Sequence, residues 1–301
     1  MAEATRTGYA PDGTATGTLS YTKRMPPMTA GEALDPIAAP LTYPGAAPDS
    51  PAVLVTETSV LVVRPSRTVG ALGAWRVTLG PGESRALDDV LRDRGAALTG
   101  NRVPVLAVGS NAAPAQIRRK LSTAGLAAAV PVTAVTVDGL SVGVSAHVSN
   151  AGYVPATPVP DPFAKSQRMW VTWLAPDELQ TMDKTEPNYD RVRIPASCSI
   201  RLTPVQPLSE CWLYVSHHGY LTERSGEPRK LIDQSGLITS LLAEMPALTD
   251  LAGTSPEEWI SRAHDQIVRD GIRDLFRSSG ITRSPDRDIW AAPKADSGDQ
   301  Q

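Results

Sequence analysis

The sequence predicts an α+β protein, built on a mixed β-barrel or a strongly curved sheet with flanking helices. Three observations predict it. Short segments rich in Val, Leu and Thr recur through the middle of the chain with turns between them. Helical periodicity appears beside and after them. The 301 residues are 41% apolar and 20% charged, which supports a buried core and excludes wholesale disorder.

Five stretches are expected: a leader over 1–50, a strand-helix extension over 51–100, a central domain over 101–247, a C-terminal helix over 248–282 and a tail over 283–301. The leader carries seven prolines and almost no apolar periodicity, so it cannot bury enough surface to offset its ordering entropy and reads as flexible. The tail reads the same way, with Ile289 and Trp290 as its only large apolar residues.

Between them, Val53 to Val63 reads as a strand, or as two strands meeting near Glu57. Trp75 to Leu79 is a short strand closed by Gly80-Pro81-Gly82. Ser84 is placed to cap a helix whose Leu87, Val90 and Leu91 share one face, ending at Gly95. Val103 to Val108 is an apolar strand running into Gly109-Ser110-Asn111. A helix follows from about Ala113, with Pro114 in its first turn and Ile117 and Leu121 one turn apart. Further strands are expected at 131–137, 140–148, 168–174, 189–194, 197–203 and 211–216, interrupted by a helix from Pro176 to about Asp183. Two helices close the chain. Lys230 to Glu244 spaces Leu231, Leu237, Ile238, Leu241 and Leu242 helically. Ser255-Pro256-Glu257-Glu258 starts another, expected to bury Trp259, Ile260, Ile267 and Leu275.

Composition narrows function. Lys plus Arg is 29 against 32 Asp plus Glu, a net charge of -3, so no basic excess points to nucleic acid. No apolar run approaches the roughly 18–20 residues of a membrane span. Met1 to Tyr9 has no apolar core of a secretory signal, so a soluble, cytoplasmic protein is expected. Scarce aromatics, 27 prolines and frequent Ala point to a GC-rich bacterial source. Cys198 and Cys211 are expected on neighbouring strands as reduced, buried thiols. No HxH, HExxH or CxxC spacing occurs, and His217-His218, which follow the strand 211–216, would face opposite ways if they continue it, so no metal site is expected. Arg118-Arg119-Lys120 reads as a solvated helix face.

Two segments could carry chemistry. In Val108-Gly109-Ser110-Asn111 a strand ends in a small-residue turn and a helix begins at once, which leaves backbone N–H groups for an anion. The same segment also reads as an ordinary strand-to-helix turn. It lacks the residues of a phosphate loop, a dinucleotide fingerprint or a nucleophile elbow. In Met182-Asp183-Lys184-Thr185-Glu186-Pro187, a carboxylate follows a short helix and Pro187 disfavours helix at Glu186. Such a Glu is either a general acid–base or a solvated loop acid near Lys184 and Arg191.

The order of these segments resembles the gamma-glutamyl cyclotransferase-like family, over roughly residues 102–247. Members open on a Tyr-Gly-Ser-Asn type turn, matched by Val108-Gly109-Ser110-Asn111. Their Leu-Asp-x-x-Glu-Gly pattern with a Tyr downstream is matched by Met182-Asp183-Lys184-Thr185-Glu186-Pro187 and Tyr189. Trp170 to Leu174 followed by Pro176-Asp177-Glu178-Leu179 resembles the family's strand-then-helix approach to the Glu. The chain departs from the pattern at Val108, in place of Tyr, and at Pro187, in place of Gly. The resemblance implies a cyclotransferase-like barrel core with Glu186 as the catalytic acid–base and Val108, Gly109, Ser110, Asn111 and Tyr189 around the substrate. It implies a small gamma-glutamyl or related carboxylate substrate, release of 5-oxoproline and an amine, and no metal or cofactor. The alternative it leaves open is an inactive ligand-binding or scaffolding domain of the same fold. It implies no nucleic acid or membrane partner and no particular oligomeric state.

Overall fold

The computed structural model describes residues 35–65, 71–202, 206–284 and 290. A 3₁₀ turn, Pro40–Thr42, comes first. β1 (Ala52–Thr56) and β2 (Val60–Arg64) make a hairpin, so the Val53–Val63 segment is two strands turning near Glu57. β3 (Arg76–Gly80) pairs with β4 (Glu83–Ala86), and α1 (Leu87–Asp93) follows. Ser84 therefore does not cap the helix. It sits opposite Thr78 in the β3–β4 ladder, which takes up its backbone, and Ala86 precedes the helix instead.

β5 (Val103–Ala107) leads into α2 (Pro114–Thr123), then β6 (Ala129–Asp138), β7 (Leu140–Val144), β8 (Ala156–Pro160) and β9 (Gln167–Leu174). α3 (Pro176–Thr185) precedes β10 (Tyr189–Arg193), β11 (Ser199–Leu202), β12 (Gln206–Pro207), β13 (Trp212–Ser216) and β14 (Tyr220–Leu221). α4 (Gln234–Glu244), α5 (Pro246–Ala252), α6 (Pro256–Arg262), α7 (Gln266–Ser278) and β15 (Thr282–Arg283) complete the order.

The main sheet runs β10-β13-β5-β9-β6-β1-β2-β3-β4, with β11 paired to β6 and β12 to β11. Only β13–β5 is parallel among these described pairs; the other ladders are antiparallel. The expected barrel is corrected. Among the described residues β10 and β4 end the path without pairing to each other, so the sheet is open and the fold is mixed α+β. β1, expected in a peripheral extension, lies inside the sheet between β6 and β2.

Period-2 alternation distributes β1 to both faces. Leu54 joins a core with Leu106, Val171 and Leu213, onto which Leu87 and Leu91 of α1 pack. Val53 and Val55 face the other way, onto Ile117 and Leu121 of α2 and Leu179 and Met182 of α3. A separate core gathers Leu237, Ile238, Leu241, Trp259, Ile272 and Phe276 of the C-terminal helices against Val144, Val154 and Leu221.

The C-terminal expectation is also corrected. The single helix after Ser255 is two, because the chain breaks after Arg262 and restarts where Asp265 accepts the Ile267 N–H as a cap. Ile267 is consequently 77% exposed rather than buried. The helix expected from Lys230 begins at Gln234, capped by Asp233, whose side chain accepts the Gly236 N–H. β7 stops at Val144, because Ser145 and Ala146 turn to bond Pro155 and Gly219. Cys198 and Cys211 are free, but β11 and β13 are not neighbours in the sheet.

Residues 1–34 of the expected leader lie outside the described residues, as do 285–289 and 291–301 of the tail. What is described of each is held against the body. Tyr43 is 5% exposed and stacks on Tyr153 with ring centroids 4.2 Å apart. Asp35 pairs with Arg119 at 2.6 Å. Trp290 is buried in the core beneath the sheet. A few anchors thus hold segments whose proline-rich or polar composition reads as loose.

Candidate functional site

The site forms where β5 gives way to α2 and where α3 gives way to β10. After Ala107 the chain passes Val108 and Gly109 into a 3₁₀ turn, Ser110–Ala112, and Pro114 then starts α2 with a preset φ. Gly109 is required by a close approach: an added Cβ would lie 2.3 Å from the Tyr43 hydroxyl.

α3 is set from both ends. Leu179 and Met182 bury its inner face. At its start the buried Glu178 carboxylate accepts the Ala175 N–H and the Arg102 guanidinium, each at 2.8 Å, and Arg102 also donates to the Trp173 carbonyl. At its end Glu186 leaves the helix with φ -118° and ψ 53° before Pro187. Asp183 is turned elsewhere, held by Arg191 and by the Tyr214 hydroxyl.

Glu186 and Asn111 meet. Oε1 of Glu186 accepts the Asn111 side-chain amide at 3.0 Å. It also accepts the Lys120 ammonium at 2.5 Å, and Lys120 donates to Asn111 Oδ1 at 2.8 Å. Asn111, Lys120 and Glu186 therefore form a closed ring of hydrogen bonds. Lys120 is 3% exposed, which corrects the reading of Arg118-Arg119-Lys120 as a solvated face. Gln116, Ile117, Lys120 and Leu121 are the buried positions of α2, at helical spacing, so Lys120 shares the inward side with the apolar pair.

The ring borders a cavity of about 370 Å³. All the residues expected at the site line it: Val108, Gly109, Ser110, Asn111, Glu186 and Tyr189. Tyr189 shapes the wall rather than presenting its hydroxyl, which donates to the Ala156 carbonyl at 2.9 Å. On the same residue the Ala156 N–H donates to the Tyr43 hydroxyl at 2.8 Å, so two tyrosines clamp β8 at its first residue. Burial, the largest cause, pushes Tyr153 up to about 12 and raises Tyr43 and Tyr189 well above the usual phenol range, so all three stay protonated at neutral pH.

His147 also lines the cavity, and sequence reasoning did not place it there. It lies beyond the end of β7, with Nδ1 at 2.7 Å from the Ser145 hydroxyl and its ring 4.6 Å from that of His218. Burial, with His218 as the next cause, lowers its pKa to about 3, so it is a neutral imidazole. His217 turns away to Asp190. Among the described residues no group of three or more His, Cys, Asp or Glu side chains is arranged to hold a metal ion. No helix among them is long and apolar enough to cross a membrane.

Tyr43, Lys120 and Tyr153 were not legible as site residues. For Lys120 a signal existed in its phase with Ile117 and Leu121. For Tyr43 none did, because it bonds to a residue 113 positions away.

No family model matches the sequence, and no curated protein matches it. Among solved structures the chain is similar to an uncharacterized protein from Homo sapiens, at 12% identity and a TM-score of 0.32, over 57% of this chain and 99% of that one. It is likewise similar to a gamma-glutamyl cyclotransferase, at 13% identity and a TM-score of 0.31, over 57% of this chain and 99% of that one.

Proposed function

We propose that the protein is a gamma-glutamyl cyclotransferase-like acyl transferase, which converts a gamma-glutamyl compound into 5-oxoproline and a free amine without a cofactor. The observation that carries the reading is the Glu186 carboxylate. Asn111 and Lys120 hold it through Oε1, and none of the described residues bonds Oε2, which is then left for a ligand, at the wall of a cavity that the 109–111 turn also lines.

The reaction asks little of the site, because nucleophile and electrophile belong to one molecule. Glu186 Oε2 takes a proton from the ligand's α-amino group. The freed nitrogen attacks the γ-carbonyl carbon, and the new C–N bond closes a five-membered ring as the carbonyl π pair moves to oxygen. When that pair returns, the original amide C–N bond breaks. Glu186 passes its proton to the departing nitrogen. Lys120 and Asn111 fix the carboxylate so that both transfers occur from one position. The turn and the Lys120 ammonium together favour a ligand carboxylate in the same corner.

A second reading, a domain of this kind that binds a carboxylate without turning it over, is favoured by one observation. The Lys120 ammonium already occupies Glu186 Oε1, which is also the arrangement of a purely structural ion pair. Incubation of the purified protein with a panel of gamma-glutamyl compounds, assayed for 5-oxoproline, separates the two. Release supports the enzyme; binding of 5-oxoproline without release from any compound supports the binding domain.

A further inference from the structure

Tyr43 enters the site from a segment that precedes β1, and its hydroxyl is placed unusually. The ring is 5% exposed and stacked on Tyr153. The oxygen accepts the Ala156 N–H at 2.8 Å. A phenol has one O–H to donate besides the lone pairs with which it accepts. None of the described residues accepts the phenol proton, although Tyr43 borders the cavity. A buried donor left without a partner loses the full desolvation cost of the group. The fit at Gly109 points the same way, since any side chain there would displace this hydroxyl.

The arrangement changes what the turn presents. The Tyr43 hydroxyl stands against Gly109 of the turn, and Tyr43 and Lys120 both line the cavity, so a ligand there meets a phenol O–H as well as the backbone of the turn. We propose that Tyr43 is a specificity-determining residue: its hydroxyl donates to the α-carboxylate of the ligand, and the site takes gamma-glutamyl compounds whose α-carboxylate is free. This rests on the function proposed above and adds the reading group and the substrate class. The segment that carries Tyr43 is tied down on the cavity rim by the Asp35–Arg119 ion pair, so the reader is supplied from outside the strand-turn-helix unit it serves.

The test compares full-length wild type with Tyr43→Phe, which keeps the stacked ring and removes only the hydroxyl. Titration calorimetry with 5-oxoproline should show binding weakened about 10–100-fold in the variant, the loss expected for one hydrogen bond to a charged group. For turnover, a gamma-glutamyl amide with a free α-carboxylate is set against the same compound bearing an α-carboxamide. Wild type should prefer the carboxylate, and Tyr43→Phe should lose most of that preference through KM, with kcat little changed. Unchanged binding and unchanged preference in a folded Tyr43→Phe overturn the role of Tyr43 while leaving the proposed function standing. A wild type that neither binds 5-oxoproline nor releases it overturns the proposed function, and this inference with it. If Tyr43→Phe lacks a cooperative thermal transition, 3-fluorotyrosine installed at position 43 of the full chain replaces it. Its ¹⁹F resonance should move as 5-oxoproline saturates the site, and a resonance that stays put while calorimetry reports binding overturns the proposal.

Discussion

The Lys120 ammonium lies 2.5 Å from Glu186 Oε1, joining the last turn of α2 to the residue that ends α3. Removing the cation leaves a largely buried carboxylate with Asn111 as its remaining partner. Lys120→Met should therefore destabilise the fold by about 3 kcal/mol, the loss typical of breaking a buried pair from one side. Urea unfolding measures it, and the double variant with Glu186→Gln should recover part of the loss. A cost below about 0.5 kcal/mol would place the pair with ordinary surface contacts.

Legibility in the sequence divides along physical lines. Asn111 and Glu186 could be read because each stands in a local pattern, a turn after a strand and a carboxylate after a helix. Their meeting, and the part played by Lys120, depend on how α2 packs on α3. The strands were legible where β-branched and aromatic residues run together, as in β6 and β9. β8 was not, because Pro158 and Pro160 mask it and proline cannot donate to a ladder. Strand density indicated curvature but not closure, which is decided by whether β10 and β4 meet, two strands far apart in the sequence. Tyr43 sits among prolines in a stretch with no periodicity, so only the folded chain reveals it as an anchor.

The buried pair Arg102–Glu178 fixes the start of α3 and hence the approach to Glu186. Their side chains are 0% and 5% exposed. Glu178→Ala strands the guanidinium and exposes the Ala175 N–H, so a loss of about 3–5 kcal/mol is expected in denaturant unfolding. The same substitution should impair any turnover more than an equally destabilising change in the C-terminal helices, for instance Phe276→Ala at a fully buried position.

Acid should destabilise the protein through its histidines. His147 is held near 3 and His218 near 4, mainly by burial, against 6.5 for a free side chain. Below about pH 6.5 the unfolded chain binds protons that the folded one refuses, so the stabilisation is complete above that pH and is lost as pH falls toward 3–4. The slope from His147 alone is about 1.4 kcal/mol per pH unit inside this window. Unfolding midpoints at pH 7, 6, 5 and 4 should fall more steeply for wild type than for His147→Gln. Parallel curves would remove His147 from the account.

The two thiols should differ in reactivity. Burial pushes Cys211 up to about 12, and raises the half-buried Cys198 less far. A thiol reagent at neutral pH should label Cys198 in the native protein well before Cys211, and both at once after denaturation. Equal native rates would show that the strand carrying Cys211 opens readily.

The central claim is that Glu186 moves the protons, and the most direct test is 5-oxoproline release by wild type and by Glu186→Gln. Glutamine keeps an oxygen for Lys120 and Asn111, so the thermal transition should survive. Release from gamma-glutamyl compounds should drop by about 10²–10⁴-fold, the contribution of one acid–base group. Full release by a folded Glu186→Gln protein would contradict the account.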